Sequence, residues 1–192
     1  MAKIKVIGII AEDNSDFESF KILIKRITQN ENLSFKKAIG NGCGRIKRKA
    51  DSYCKDLKNR GCNMIILVND LDRNNYLELH KDLSKKMVFH PENCAFLCIP
   101  IEEIEAWFLS DPEGLKSAMN LKKKPNIKRL PEQVESPKEY LGEIVSIYSN
   151  NERLYLNTKH NPIISAKISI DLMKNKCPSF KGLHDFLKKH QY

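Results

Sequence analysis

The sequence predicts an α/β protein with a Rossmann-like, mainly parallel sheet flanked by helices and a helical C-terminal extension. Three observations carry this reading. Short continuous apolar runs at residues 5–11, 64–68 and 94–99 have the length and β-branched content of strands covered on both faces. Each is followed by a stretch with helical spacing or helix-start residues. The last third of the chain holds helix starts and no further strand. Buried strands alternating with helices build parallel sheets.

Taken in order, residues 5–11 (containing VIGII) form the first strand, which ends in acids and the helix-start pair Asn14-Ser15. Phe17, Phe20, Ile24 and Ile27 recur at helical spacing. Residues 33–39 read as a more polar strand suited to a sheet edge. The run Gly40-Asn41-Gly42-Cys43-Gly44 is a turn, and residues 45–60 a basic helix closed by Gly61. MIILV is the second buried strand; it ends in Asn69-Asp70-Leu71-Asp72, and a helix follows through Tyr76, Leu79 and Leu83. Residues 94–99 are the third buried strand, stopped by Pro100. A short helix is expected over 102–109, and Asp111-Pro112 opens the next. Residues 120–135 carry two interior prolines and no periodicity, and read as a mobile basic loop. Ser136-Pro137-Lys138-Glu139 has the pattern of a capping box for a helix to about Tyr148. Asn161-Pro162 and Ser179 mark two more helix starts. The chain thus divides into an α/β core over 1–120, with a basic loop and helical extension over 121–192 packed on it.

The composition is that of a soluble chain: of 192 residues, 41% are hydrophobic and 30% charged. No apolar run approaches the roughly 20 residues of a membrane helix. The acids after the first apolar run are not those of a secretory signal. Six cysteines, none in a CxxC pair, indicate reduced thiols, a cytoplasmic location and no zinc site.

The net charge of +9 suits an anionic partner. Nine Lys/Arg fall between Lys36 and Arg60 and six between Lys122 and Lys138. Lys-rich helix faces are often only solvated. Arg45, Lys47, Arg48 and Lys49 are nonetheless the candidates for contact with nucleic acid, with Arg73 beside the second acidic pair and Lys159 before a helix start.

The acids concentrate elsewhere. Glu12 and Asp16, Asp70 and Asp72, and Glu102, Glu103 and Glu105 each follow one of the three apolar strands. Ligands of parallel sheets bind outside the carboxyl ends of the strands, so the three groups should meet at one sheet edge. Asp70 and Asp72 point the same way while strand geometry lasts, and Glu102 and Glu105 would share a helical face. Carboxylates crowded together need an offsetting charge, and a hard cation such as Mg²⁺ or Mn²⁺ supplies it. Asp111 reads as a helix cap and Trp107 as core. No P-loop, no GxGxxG after a strand and no GxSxG occurs.

These residues resemble the TOPRIM domain, the catalytic module of topoisomerases, primases and OLD (overcoming lysogenization defect) nucleases. "IIAEDNSDFESF" resembles its first motif, with Glu12 at the glutamate and Asp16 at the acid of OLD-type members. "MIILVNDLDRN" resembles the second, with Asp70 and Asp72 at its DxD. "CIPIEEIEAWFLSDPEGL" is similar to a segment of small stand-alone bacterial TOPRIM proteins. The resemblance spans roughly residues 3–111, with weaker similarity through "SPKEYL" and "CPSF". Many TOPRIM domains carry Gly after the motif glutamate, where this chain has Asp13.

The resemblance implies a Mg²⁺- or Mn²⁺-dependent endonuclease acting on DNA or RNA, an effector in prokaryotic anti-phage defence. Such proteins often work beside a separate ATPase, and a homodimer is also in keeping. It makes Glu12, Asp70 and Asp72 catalytic. Metal would be held by Glu12, Asp16, Asp70, Asp72 and Glu105, with Glu12 as ligand or general base. The alternative is a non-catalytic module that keeps the fold and holds nucleic acid or a partner. A phosphotransfer receiver domain, which also places acids at strand ends, would need a Lys after a final strand, and 150–165 shows no such strand.

Overall fold

The computed structural model describes residues 3–87 and 94–192; residues 1, 2 and 88–93, the last group within the span of the TOPRIM resemblance, lie outside it. Four parallel strands, β1 (Val6–Ala11), β2 (Ser34–Ile39), β3 (Met64–Val68) and β4 (Ala95–Cys98), stand in the order β2-β1-β3-β4. The expected α/β class and parallel sheet are thus present. Strand parity sorts the side chains. Ile7, Ile9, Met64, Ile66 and Val68 enter one core and Ile10, Ile65 and Leu67 the other.

The second core is covered by α2 (Cys43–Asn59) and α3 (Tyr76–Lys86). The first, larger core lies under α1 (Asn14–Thr28) and the chain after β4. That part comprises α4 (Glu105–Phe108), α5 (Pro112–Met119), α6 (Pro137–Tyr148), α7 (Asn157–Lys167), α8 (Ile170–Lys176) and α9 (Pro178–Lys188). One continuous apolar cluster runs from Ile4 to Leu187. At its centre Trp107 is fully buried between Phe20 and Phe180 in edge-to-face contacts at 5.5 and 5.1 Å, and its indole N–H donates to Ser179 Oγ at 2.8 Å. Trp107 is core, as its place on the helix predicts.

Several expectations need correction. β4 is an edge strand with three of its four residues partly exposed, not a fully buried one. Its apolar run reflects contacts on both faces, Phe96 and Cys98 on the first core and Ala95 and Leu97 on the second, with Phe96 stacked on Phe186 at 4.7 Å. β2 is the other edge, as its polar sequence predicts. The 102–109 helix begins only at Glu105, because Glu102 takes a left-handed backbone (φ 59°). Ser136 makes no side-chain cap; its hydroxyl instead accepts from Arg73 at 3.2 Å. α7 starts one turn before Asn161-Pro162, with Pro162 inside the helix, and α8, capped by Ser169, had no reading in the sequence. The 120–135 segment is irregular but anchored: Leu121, Pro125, Pro131 and Val134 are buried, and a 3-10 turn spans Pro131–Gln133. Asp111 caps α5 through Glu113 N–H (3.1 Å) and Gly114 N–H (3.0 Å), as expected.

Candidate functional site

The loops leaving the strands continue the ladder for a few residues, which fixes the acids at one edge. Gly40 and Asn41 N–H donate to Ala11 and Glu12 carbonyls, each at 2.9 Å. On the other side Asn69 N–H donates to Cys98 (3.1 Å), Leu71 N–H to Pro100 (3.1 Å) and Asp72 N–H to Glu102 (3.4 Å). Glu12 directly follows β1 and faces α2, where the Cys43 thiol donates to its Oε2 at 2.8 Å. Burial and this bond push the Cys43 thiol up, so it remains a proton donor. Asp13, where TOPRIM domains often have Gly, is extended (φ −137°) and caps α1 through Asp16 N–H at 2.9 Å. The loop has no positive φ at that position, so an Asp there is compatible with it.

Asp16, in the first turn of α1, has its carboxyl pushed up to about 7, by burial first and then by Asp13, Glu105 and Glu12. Asp70, directly after the strand-end Asn69, is raised well above the ordinary range by burial, then by Asp16, Glu105, Asp72 and Glu103. Glu103 is raised to about 7 by burial and then by Glu105, opposed by the Lys138 N–H it accepts at 3.2 Å. Asp16 and Asp70 are each raised by charges from another of the three sequence clusters, which brings acids of all three within electrostatic reach of one another. None of Glu12, Asp16, Asp70, Asp72, Glu103 or Glu105 forms a salt bridge among the described residues.

The convergence is uneven. Asp72 is exposed and left-handed (φ 47°), as is Arg73 (φ 60°), so the DxD pair does not keep strand geometry. Leu71 between them is buried in the second core, and the turn that buries it swings Asp72 outward. Glu102 precedes α4 and shares no helical face with Glu105. An open hollow of about 220 Å³ beside Asp72 is lined by Arg73, Glu102, Glu103, Glu135, Ser136 and Glu139.

Glu105 is 3% exposed. Its Oε1 accepts from Tyr155 Oη at 2.9 Å and from Asn161 Nδ2 at 3.0 Å, and the Tyr155 hydroxyl also touches Asn161 Oδ1. Sequence reasoning missed Cys43, which it read only as part of a turn, and Tyr155 and Asn161. A buried Asn inside a helix was the available signal.

The basic candidates separate. Ile46, Ala50, Cys54 and Leu57 bury one stripe of α2, leaving Arg45, Arg48 and Lys49 exposed and outside any salt bridge among the described residues. Lys47 reaches Asn74 at 3.2 Å, two residues beyond Asp72. Lys159 is exposed on α7 and does not join the acids.

Carboxylates of this number and burial are the donor type that hard divalent cations take, and they lack protein counter-charge; on both grounds the residues fit such an ion. As placed, no three His, Cys, Asp or Glu side chains among the described residues enclose a single point at ligand distance. The edge is a set of donors around a gap, not a closed cage.

The fold defines an α/β protein whose parallel sheet carries acidic residues just beyond the carboxyl ends of three of its strands, where parallel sheets generally take their ligands. The chain belongs to the family described as "Domain of unknown function (DUF4276)", whose model matches residues 11–188. No curated protein and no solved structure matches it. No helix among the described residues is long and apolar enough to cross a membrane.

Proposed function

We propose that this protein is a TOPRIM-type, Mg²⁺- or Mn²⁺-dependent nuclease that hydrolyses phosphodiester bonds in DNA or RNA, an effector of prokaryotic anti-phage defence that works beside an ATPase. One observation carries it. Carboxylates from three strand-end loops act on one another electrostatically at one edge, and none of them forms a salt bridge among the described residues. Asp70 and Asp72, with Asp16 and Glu105, would hold the ions. A bound pair of such ions raises the nucleophilicity of water and stabilises charge on the leaving oxygen. Glu12, whose Oε2 accepts from the Cys43 thiol, would accept the proton of that water or serve as a ligand. Arg45, Lys47, Arg48 and Lys49 would carry the phosphate backbone toward the edge.

The hollow of Glu102, Glu103, Glu135 and Glu139 favours a second reading, a module that binds nucleic acid or a partner without cutting, because it repels phosphate on one flank of Asp72. Titration of Mn²⁺ into the parent, Asp70→Ala and Asp72→Ala, with cleavage assays on DNA and RNA pools, separates the two. The nuclease reading expects both variants to fold and to lose Mn²⁺ affinity, and EDTA to abolish cutting. Unchanged Mn²⁺ affinity in both variants overturns the site. Nucleic-acid binding with no cutting in any metal selects the second reading.

A further inference from the structure

The C-terminal extension does more than cover the core. We infer that Tyr155 and Asn161 are positioning residues that fix the Glu105 carboxylate for the ion-binding edge. The inference rests on the metal-centre reading above and names the residues that set one of its ligands.

Glu105 begins a four-residue helix, and the hydrogen bonds to its carboxylate come from outside that helix. The constraint comes from the far end of the chain. Tyr155, 8% exposed, stands just before α7, and Asn161, 1% exposed, lies within it. Both donate to the same oxygen, Oε1. Glu105 Oε2 takes no hydrogen bond among the described residues. It belongs to the carboxylate whose charge raises Asp16, Asp70 and Glu103. One oxygen is thus tied down and the other is left for the cluster. The Tyr155 hydroxyl has a single proton and lies between two acceptors, Glu105 Oε1 and Asn161 Oδ1, so that proton is shared between them, and the Asn161 amide ties its own Nδ2 to Glu105.

The arrangement has three further supports. α7 is itself anchored to α1, the helix that carries Asp16. Ser15 Oγ donates to the Asn157 carbonyl at 3.0 Å, and Arg26 donates to the Ser165 carbonyl at 2.7 Å. The polar pair is buried, with the Tyr155 ring in the same apolar cluster as Ile164 and Trp107. Mg²⁺ tolerates little departure from octahedral geometry, so a ligand held in one rotamer is worth more than a free one. Partners that orient a metal's ligands typically contribute about 10–100-fold to affinity.

The test is Mn²⁺ binding by calorimetry, with thermal melts of the same samples, on the full chain. Tyr155→Phe keeps the ring and removes the hydroxyl; Asn161→Ser removes the amide. Each is expected to weaken Mn²⁺ about 10-fold or more. In a Glu105→Gln background, Tyr155→Phe should change Mn²⁺ affinity no further, because the group it positions is gone. Ile164→Val, a packing change on the same helix, should lower the melting temperature and leave Mn²⁺ affinity alone. If Tyr155→Phe and Asn161→Ser bind within about two-fold of the parent while Asp70→Ala does not bind, the positioning role is overturned and the metal centre stands. If the parent and Asp70→Ala bind alike, the metal centre falls and the positioning role with it. Should one variant be unfolded at the assay temperature, the other decides.

Discussion

Glu12 shows what a single residue at a strand end is asked to do. Its backbone is fixed by the last rungs between β1 and β2, and its Oε2 by the Cys43 thiol. Gln at this position is nearly isosteric but cannot take a proton and is a poorer ligand. Glu12→Gln is expected to keep the fold and most nucleic-acid affinity and to lose about 10²–10⁴ in cleavage rate. A rate equal to the parent's would move the chemistry elsewhere. Cys43→Ser keeps a donor near Glu12, whereas Cys43→Ala removes it, so single-turnover rates should fall more in the alanine variant. At this scale the sequence was readable where an apolar run stops at an acid, as at Glu12 and Asp70. It was not readable at Asp72 and Glu102, because a left-handed φ at an acidic residue follows from the burial of a neighbour such as Leu71 and leaves no mark in spacing.

Among the elements, α2 joins fold to function most directly. Gly40 exists for its packing: a Cβ there would lie 2.3 Å from Ile46 Cγ1, so the turn can press against the helix only without a side chain. Gly40→Ala is expected to cost about 1–3 kcal/mol in denaturant melts, and no loss would mean that α2 shifts freely. Once seated, α2 turns Arg45, Arg48 and Lys49 outward and sends Lys47 toward the loop of Asp72. Further along, Lys55 and Arg60 are spent on Asp51 and Asp56. Arg45, Arg48 and Lys49, in no salt bridge among the described residues, lie toward the end that begins beside Glu12, although Lys58 is likewise exposed at the other end. Replacing Arg45, Lys47, Arg48 and Lys49 by Gln should weaken nucleic-acid binding and flatten its salt dependence. Each phosphate that is no longer neutralised reduces the log–log slope by about 0.9 on duplex DNA. Identical slopes for parent and variant would leave this face merely solvated. α2 was legible because its buried stripe is regular. α7 was misread at its start because Pro162 resembles a first-turn proline, while the helix begins a turn earlier, where Lys159 and His160 N–H donate to the Leu156 carbonyl and His160 Nδ1 accepts from Leu156 N–H.

At the scale of the whole molecule, one core and one acidic edge are shared by the two halves read from the sequence. Ile4 N–H donates to the Gln191 carbonyl at 2.8 Å, and the cluster around Trp107 draws on α1, α4 and α9 alike. The edge concentrates raised carboxyls, which gives stability without metal a defined sign. Asp16 and Glu103 titrate near 7 in the folded chain against ordinary values of 3.8 and 4.5, and Asp70 is raised as well. Between those limits the folded state holds protons that the unfolded state has released, so stability falls as pH rises. The contribution is complete below about pH 4 and is lost by pH 7 to 8. His160, lowered by burial and by Lys159, works the other way below its ordinary 6.5 and should flatten the acid end of the curve. In EDTA the melting temperature is therefore expected to be higher at pH 5 than at pH 8. Asp70→Ala should shrink that difference and raise the value at pH 8, since it removes a buried member of the like-charged set. An ion that binds the ionised carboxylates reverses the trend: at about 100 times its Kd it adds ~2.7 kcal/mol, and it does so at pH 8 far more than at pH 5. Melts at both pH values, with EDTA and with Mn²⁺, read all of this in one series. A melting temperature in EDTA that climbs from pH 5 to pH 8, or a Mn²⁺ gain equal at both, would mean that these carboxyls are neither crowded nor the place where the ion binds.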